Sequence, residues 1–266
     1  MKKLIFFDID GTIVTENGQK RVIPESTLDA IRKLRENGHL CFINSGRTMS
    51  EMNTMIYEIG MDGFVCGCGT YISYHDDILY SQTIPFNLGN EILKDLELCN
   101  LEWLLEGEKN LYYSTKPYET HIDDFRKEHM ADDSLNYTLV EPEKAQYLTF
   151  DKFCVCLKKE SDFKSFRKKY SQKLTFIDRG DDFWEIVPLG CSKASGMKYL
   201  MDYFKIPVED TFAIGDSSND LPMLEFAGTG IAMGNSSDIV FKHADYITDD
   251  ILEDGIYNAM KHFKLI

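Results

Sequence analysis

Long hydrophobic runs are missing from this chain of 266 residues. No stretch approaches the roughly 20 apolar residues that a membrane-spanning helix needs. The opening Met1-Lys2-Lys3-Leu4 starts like an export signal, but Asp8 and Asp10 soon interrupt it, so the segment reads as a strand. Positive charge is also scarce: 29 Lys and Arg stand against 44 Asp and Glu, a net charge of −15. That balance argues against nucleic acid and against anionic membranes as partners. Solubility accounts for the acidity itself. An acidic protein that takes an anionic ligand nevertheless needs a local positive centre, here a metal ion, a lysine or helix N-termini. No obligate protein partner is evident.

Zinc-type spacing is lacking too. Of seven cysteines, Cys66 and Cys68, and Cys154 and Cys156, are spaced C-x-C inside apolar, strand-like segments. Zinc sites use wider pairs with further Cys or His ligands. Buried free thiols in a reducing cytosol are the expectation, which places the chain in the cytoplasm. Internal repeats and low-complexity tracts are absent as well.

What is present begins at Asp8-Ile9-Asp10-Gly11-Thr12, directly after the apolar run Leu4-Ile5-Phe6-Phe7. Side chains alternate along a strand, so Asp8 and Asp10 start out on the same side. Two anions that close repel, and burial raises the cost. A cation between them removes the conflict. Gly11 permits a sharp turn, and Thr12 can hydrogen-bond back into the loop. By itself the pentamer is also an ordinary acidic strand-to-turn junction; its weight comes from partners downstream.

The chain is long enough for a core domain with an inserted one. A parallel α/β pattern opens it: a buried strand at Leu4 to Phe7, and a helix from Pro24-Glu25 with Leu28, Ile31 and Leu34 as its stripe. A second strand runs from His39 to Asn44, and a third from Gly63 to Gly67. Ser45-Gly46-Arg47-Thr48 is expected to turn into a helix carrying Met52, Met55, Ile56 and Ile59. From about residue 83 the character changes to polar-alternating strands mixed with helices, an α+β unit with a one-sided sheet. The α/β pattern returns after Pro188, with a helix from Ser192 to Phe204 and strands at Thr211 to Ile214, Thr229 to Met233 and Ala244 to Ile247. The expected architecture is a doubly wound, mainly parallel α/β core over 1–82 and 188–266, with an inserted α+β domain over 83–187. Such sheets bind ligands beyond the carboxyl ends of their strands, where Asp8, Ser45 and Asp216 all fall.

Gly215-Asp216-Ser217-Ser218-Asn219-Asp220 follows the apolar Phe212-Ala213-Ile214. Asp216 is the third carboxylate at a strand end. Mg2+ prefers oxygen ligands. Asp8 and Asp216 are assigned as its side-chain ligands and the Asp10 backbone carbonyl as a third. Asp220, with Ser217, is expected one layer out, orienting a bound water or Lys193. Asn219 and Asp220 could instead simply cap the next helix. Ser45, with Gly46 and the neighbouring N–H groups, forms a candidate phosphate cradle, against a helix-cap role for the serine. Arg47 stands between a substrate contact and a surface ion pair. Lys193 lies near a helix start, where a cation opposes the dipole; either it meets a charge there or it is a solvated surface lysine.

In this order, D-I-D-G-T, N-S-G-R-T, C-S-K-A-S-G and G-D-S-S-N-D resemble the four motifs of the haloacid dehalogenase (HAD) superfamily. The large insert, F-W-E-I-V-P before the lysine, I-A-M-G-N, A-D-Y-I-T-D and E-D-G-I are similar to its Cof-type sugar-phosphatase branch. The resemblance covers essentially the whole chain. It implies an Mg2+-dependent phosphatase of small phosphorylated metabolites, with sugar phosphates the foremost class. Asp8 would be the nucleophile that becomes an aspartyl phosphate, and Asp10 the acid and then the base. Lys193, Ser45, Ile9, Gly46, Arg47 and Asn219 would surround the phosphoryl group, and the insert would be a cap that closes over the substrate. The chain departs from the branch at Ala194 after the lysine, at Cys68 before Gly69, and at Asn44 before Ser45. Tyr112, Tyr113, Trp184 and Glu185 are candidates for leaving-group contacts, against simple packing roles. Two other readings remain: a phosphosugar mutase using the same aspartate, and a non-catalytic sugar-phosphate sensor. The paired Asp8 and Asp10 weigh against the sensor.

Overall fold

The computed structural model describes residues 2–15 and 21–266; Met1, the first residue of the export-like opening, lies outside them. In chain order the elements are β1 (Leu4–Phe7), α1 (Glu25–Glu36), β2 (Leu40–Asn44), α2 (Thr54–Tyr57), β3 (Gly63–Cys66), β4 (Tyr71–Tyr74) and β5 (Asp77–Ser81). There follow α3 (Phe86–Leu98), β6 (Leu101–Glu106), β7 (Leu111–Ser114), α4 (Ile122–Ala131), β8 (Tyr137–Val140), β9 (Lys152–Leu157), α5 (Phe163–Tyr170), β10 (Leu174–Asp178) and β11 (Phe183–Pro188). The chain closes with α6 (Lys193–Phe204), β12 (Thr211–Gly215), α7 (Leu221–Phe226), β13 (Thr229–Ala232), α8 (Asp238–Phe241), β14 (Tyr246–Ile247) and α9 (Gly255–His262). No helix among the described residues is long and apolar enough to cross a membrane.

Two compact units result. The first comprises Met1–Gly46, Tyr57–Leu79 and Ser192–Ile266; the second comprises Arg47–Ile56 and Tyr80–Cys191. The first carries an eight-stranded sheet in the order β14-β13-β12-β1-β2-β3-β4-β5. The run from β14 to β3 is parallel, and β4 returns antiparallel to β3. β1 is wholly buried, as the Leu-Ile-Phe-Phe run requires of a strand covered on both faces. It lies between β12 and β2, so the segments leaving those three strands emerge side by side.

The second unit holds a six-stranded sheet in the order β10-β11-β9-β6-β7-β8. Here the expected one-sided sheet is corrected. Trp103, Leu105, Phe153 and Val155 pack with α3 and α5 residues on one face. Leu104, Leu111, Tyr113, Cys154 and Cys156 pack with Ile122 of α4 on the other. The central strands β6 and β9 are therefore buried almost throughout.

The boundaries differ from the expected 82/83 and 187/188. Leu189 N–H donates to the Lys173 carbonyl at 3.0 Å and Cys191 N–H to that of Pro188 at 3.1 Å, which ties the chain to the β10–β11 hairpin as far as residue 191. Arg47–Ile56 joins the second unit because Ser50 Oγ donates to the Gly107 carbonyl at 2.8 Å and Glu51 meets Glu106. The helix expected after Ser45 is also absent. Thr48 N–H donates to Glu51 Oε2 at 2.8 Å, closing a single 3-10 turn over Met49–Glu51. Met52 is then extended, and only the short α2 follows.

Candidate active site

Asp8 stands at the carboxyl end of β1, its N–H donating to the Ile214 carbonyl of β12 at 3.0 Å. Asp216 leaves the end of β12, and Ser45 leaves the end of β2. The sheet order alone therefore assembles residues 8, 45 and 216, which are far apart in sequence.

Gly11 makes the approach of the first two loops possible. Its φ is +79°, and a Cβ there would fall 2.2 Å from Asp216 Oδ2. The loop folds on itself, with Ile13 and Val14 N–H donating to the Ile9 carbonyl at 2.9 and 2.8 Å. Thr12, fully buried, donates from Oγ1 to Asp216 Oδ1 at 2.9 Å, so the D-x-D-G-T loop grips the distant aspartate directly. Asp10 is more open than Asp8; Arg21 Nη1 lies 3.9 Å from its Oδ1, a neighbour with no signal in the motif.

Lys193 is the first residue of α6 and only 1% exposed. Its Nζ donates to Asp8 Oδ1 at 2.6 Å and also to Asp220 Oδ1. This settles the choice left open by the sequence: the lysine meets charge. Burial works against its ammonium, but Asp220 and Asp8 outweigh burial and raise its pKa. Burial, followed by repulsion from Asp220, pushes Asp8 up to about 7 despite the opposing pull of Lys193.

Asp220 is fully committed. Its Oδ2 accepts the N–H groups of Asp216 and Ser217, each at 3.0 Å, while Oδ1 takes Lys193. Its carboxylate joins those of Asp8 and Asp216 in a buried group of oxygens all within 4.8 Å of one another. Three clustered carboxylates facing one buried ammonium leave an excess of negative charge. An all-oxygen donor set of this kind suits a hard divalent cation. Asn219, half-buried, accepts from Ser217 Oγ through Oδ1. Ser45 is buried, its N–H bonded to the Val65 carbonyl at 2.9 Å and its carbonyl accepting from Cys68 N–H at 3.1 Å. Gly46 and Ile9 remain in the first unit with these groups. Arg47 belongs to the second unit, where Nη1 reaches the Glu51 carbonyl at 3.5 Å.

The family model for haloacid dehalogenase-like hydrolases matches residues 5–260. The chain belongs to the HAD-like hydrolase family. It is a HAD-type phosphatase of the Cof-like branch. It is 30% identical over 274 residues to the 5-amino-6-(5-phospho-D-ribitylamino)uracil phosphatase YitU of Bacillus subtilis, covering 98% of this chain and 97% of that one. It is 26% identical over 272 residues to an HMP-PP phosphatase of Klebsiella pneumoniae, covering 99% and 94%. Among solved structures, a HAD subclass IIB sugar phosphatase superposes with a TM-score of 0.84 at 27% identity, all of both chains being covered.

In this HAD-like hydrolase the sequence reading missed a second buried charged group, inside the second unit. Lys152 Nζ lies 2.9 Å from Glu106 Oε2 and 2.5 Å from Glu185 Oε1, all three nearly inaccessible. Burial, then Glu51, pushes Glu106 well above the carboxylate range. Burial opposes ionisation of Glu51 too, but Lys152 and the hydrogen bond from Glu106 hold its pKa low. Of the two, Glu106 is therefore the more readily protonated. Among the four cap candidates, Glu185 belongs to this network. Tyr113 is buried with its hydroxyl 2.6 Å from His129 Nδ1, and Trp184 packs on Phe163. Polar alternation in the strands was the visible signal, read as solvent exposure when it marked paired charges.

Proposed function

We propose that the chain hydrolyses small phosphorylated metabolites, sugar phosphates foremost, by way of an aspartyl phosphate on Asp8 and with Mg2+ as cofactor. The observation that carries the reading is the buried cluster in which Lys193 joins Asp8 to Asp220 beside Asp216. Asp8 and Asp216, with the Asp10 carbonyl, are the residues to hold the metal. Bound there, Mg2+ supplies positive charge to the phosphoryl oxygens.

A carboxylate oxygen of Asp8 attacks phosphorus, the new O–P bond forms, and the bond to the leaving oxygen breaks. Asp10 gives that oxygen its proton, so the leaving group departs as the neutral alcohol and Asp10 is left as a carboxylate. Asp10 then takes a proton from water as the water oxygen attacks the same phosphorus. The Asp8–phosphorus bond breaks and inorganic phosphate is released. Lys193, Ser45, Asn219 and the N–H groups of Ile9 and Gly46 balance the charge on the phosphoryl oxygens. Asp220 and Ser217 hold Lys193 and the Asp216 loop in register. The first unit carries this chemistry, and the inserted second unit carries the choice of leaving group. The seven free thiols and the absence of a membrane-spanning helix among the described residues accord with a cytoplasmic enzyme.

Relatives whose names specify a ribitylamino-uracil phosphate, HMP-PP and sugar phosphates support a phosphorylated-metabolite substrate. The test is release of phosphate from p-nitrophenyl phosphate, hexose phosphates and a ribityl phosphate, with Mg2+ and with EDTA. The acid-quenched chain should carry one phosphoryl group, lost in Asp8→Asn. Wild-type protein that liberates no phosphate from any monoester refutes the reading.

A further inference from the structure

Asn44 is the last residue of β2 and is fully buried. Its Nδ2 donates to the backbone carbonyl of Lys193 at 3.1 Å, across 149 residues of sequence. Its Oδ1 has no hydrogen-bond partner. Turning the amide over would set two acceptors face to face, so the orientation is fixed by Lys193. A buried acceptor without a partner is destabilising. An aliphatic side chain of the same size would avoid that cost, so stability does not explain an asparagine here.

The place it holds is the first turn of α6. Ser192 caps that helix, accepting the Ser195 N–H at 3.0 Å. Gly196 lets the helix lie directly on β3: a Cβ there would meet Val65 Cγ1 at 2.3 Å. Val65 is the residue paired in register with Asn44. The strand end that carries Ser45 is thus pinned by one amide to the residue whose Nζ reaches Asp8. Lys193 hangs its ammonium on a long flexible stem, so a small drift of its backbone displaces the charge from the phosphoryl position.

We propose that Asn44 is a positioning residue that fixes Lys193 for catalysis through its backbone carbonyl. The inference rests on the phosphatase reading above, in which Lys193 meets the phosphoryl group. The test compares Asn44→Leu and Asn44→Ser, each also combined with Lys193→Met. Asn44→Leu is expected to melt at or above the wild-type temperature while kcat on p-nitrophenyl phosphate falls about tenfold. In the Lys193→Met background the same change should lower kcat no further, since its effect runs through the lysine. Asn44→Ser, which is too short to reach the carbonyl, should lose kcat similarly and serves if the leucine variant fails to fold. A folded variant with kcat within twofold of wild type overturns the proposal, as does an undiminished tenfold loss in the Lys193→Met background. If the wild type hydrolyses no phosphomonoester, the phosphatase reading falls by itself. Asn44 is then judged by calorimetric affinity for inorganic phosphate, and an affinity unchanged in Asn44→Leu removes it.

Discussion

Lys193 donates to Asp8 at 2.6 Å, joining residues 185 apart in sequence inside a buried site. The contact opposes the raised pKa of Asp8 without cancelling it, and the remaining electrostatic cost is open to measurement.

Asp8 has a folded-state pKa pushed up to about 7, first by burial and then by Asp220, against about 3.9 in an unfolded chain. Between those values the folded state holds a proton that the unfolded state has lost, so stability falls as pH rises from about 4 to 7. Asp8→Asn should abolish turnover yet raise the melting temperature in EDTA at pH 8, by up to about 4 kcal/mol of stability. The gain should shrink towards pH 4. Equal melting temperatures for both proteins at pH 8 would contradict the electrostatic account.

Gly11→Ala should be far more damaging than a surface change. The new methyl group would stand 2.2 Å from Asp216 Oδ2, at a backbone φ of +79° that alanine disfavours. Displacing Asp216 should reduce phosphatase activity at least about 100-fold and raise the Mg2+ concentration needed for half-activity. Titration of activity with Mg2+ decides it; wild-type metal dependence in the variant would count against Asp216 as a ligand.

In the second unit, Lys152→Met removes a buried cation that faces Glu185 and Glu106. Breaking one side of a buried ion pair costs about 3–5 kcal/mol. The combined Lys152→Met, Glu185→Gln protein should recover part of that loss, because its buried carboxylate is no longer charged. Urea unfolding of the three proteins measures both steps.

Asp151 accepts from Thr83 Oγ1 at 2.9 Å, yet burial still pushes its pKa up to about 6. The folded form again binds the proton more tightly than the unfolded one, so stability declines between about pH 4 and 6. Asp151→Asn should therefore be more stable relative to wild type at pH 8 than at pH 4, by up to about 3 kcal/mol. A difference independent of pH would show that Asp151 titrates alike in the folded and unfolded chain.

Asp8, Asp216 and the returning α/β pattern were legible because apolar strands ending in acids announce the carboxyl edge of a parallel sheet. Lys193 carried a weaker signal, a cation sited against a helix dipole. The turn after Ser45 was misread as a helix, since the apolar spacing of Met52, Met55 and Ile56 does not reveal that Glu51 closes the turn on Thr48. Strand β8 went unseen because Tyr137, Thr138 and Leu139 are exposed at a sheet edge and show no burial pattern. Glu185 was singled out only as a leaving-group or packing candidate, and Glu106 and Lys152 drew no reading at all. Only cross-strand pairing, Glu106 opposite Lys152 in register, turns them inward.

The position of β1 between β2 and β12 has a consequence for synthesis on the ribosome. A nascent chain that has grown only to residue 191 contains every residue of the second unit but none of the strand that must flank β1 on its other side. Until residues 211–215 emerge, the amino-terminal strands have an unsealed edge beside Asp8. Unpaired edges invite aggregation, and domains emerging first tend to fold first. The insert can therefore mature while the sheet that contains the reactive aspartate is still waiting, and that sheet is the stage at which chaperone demand should concentrate.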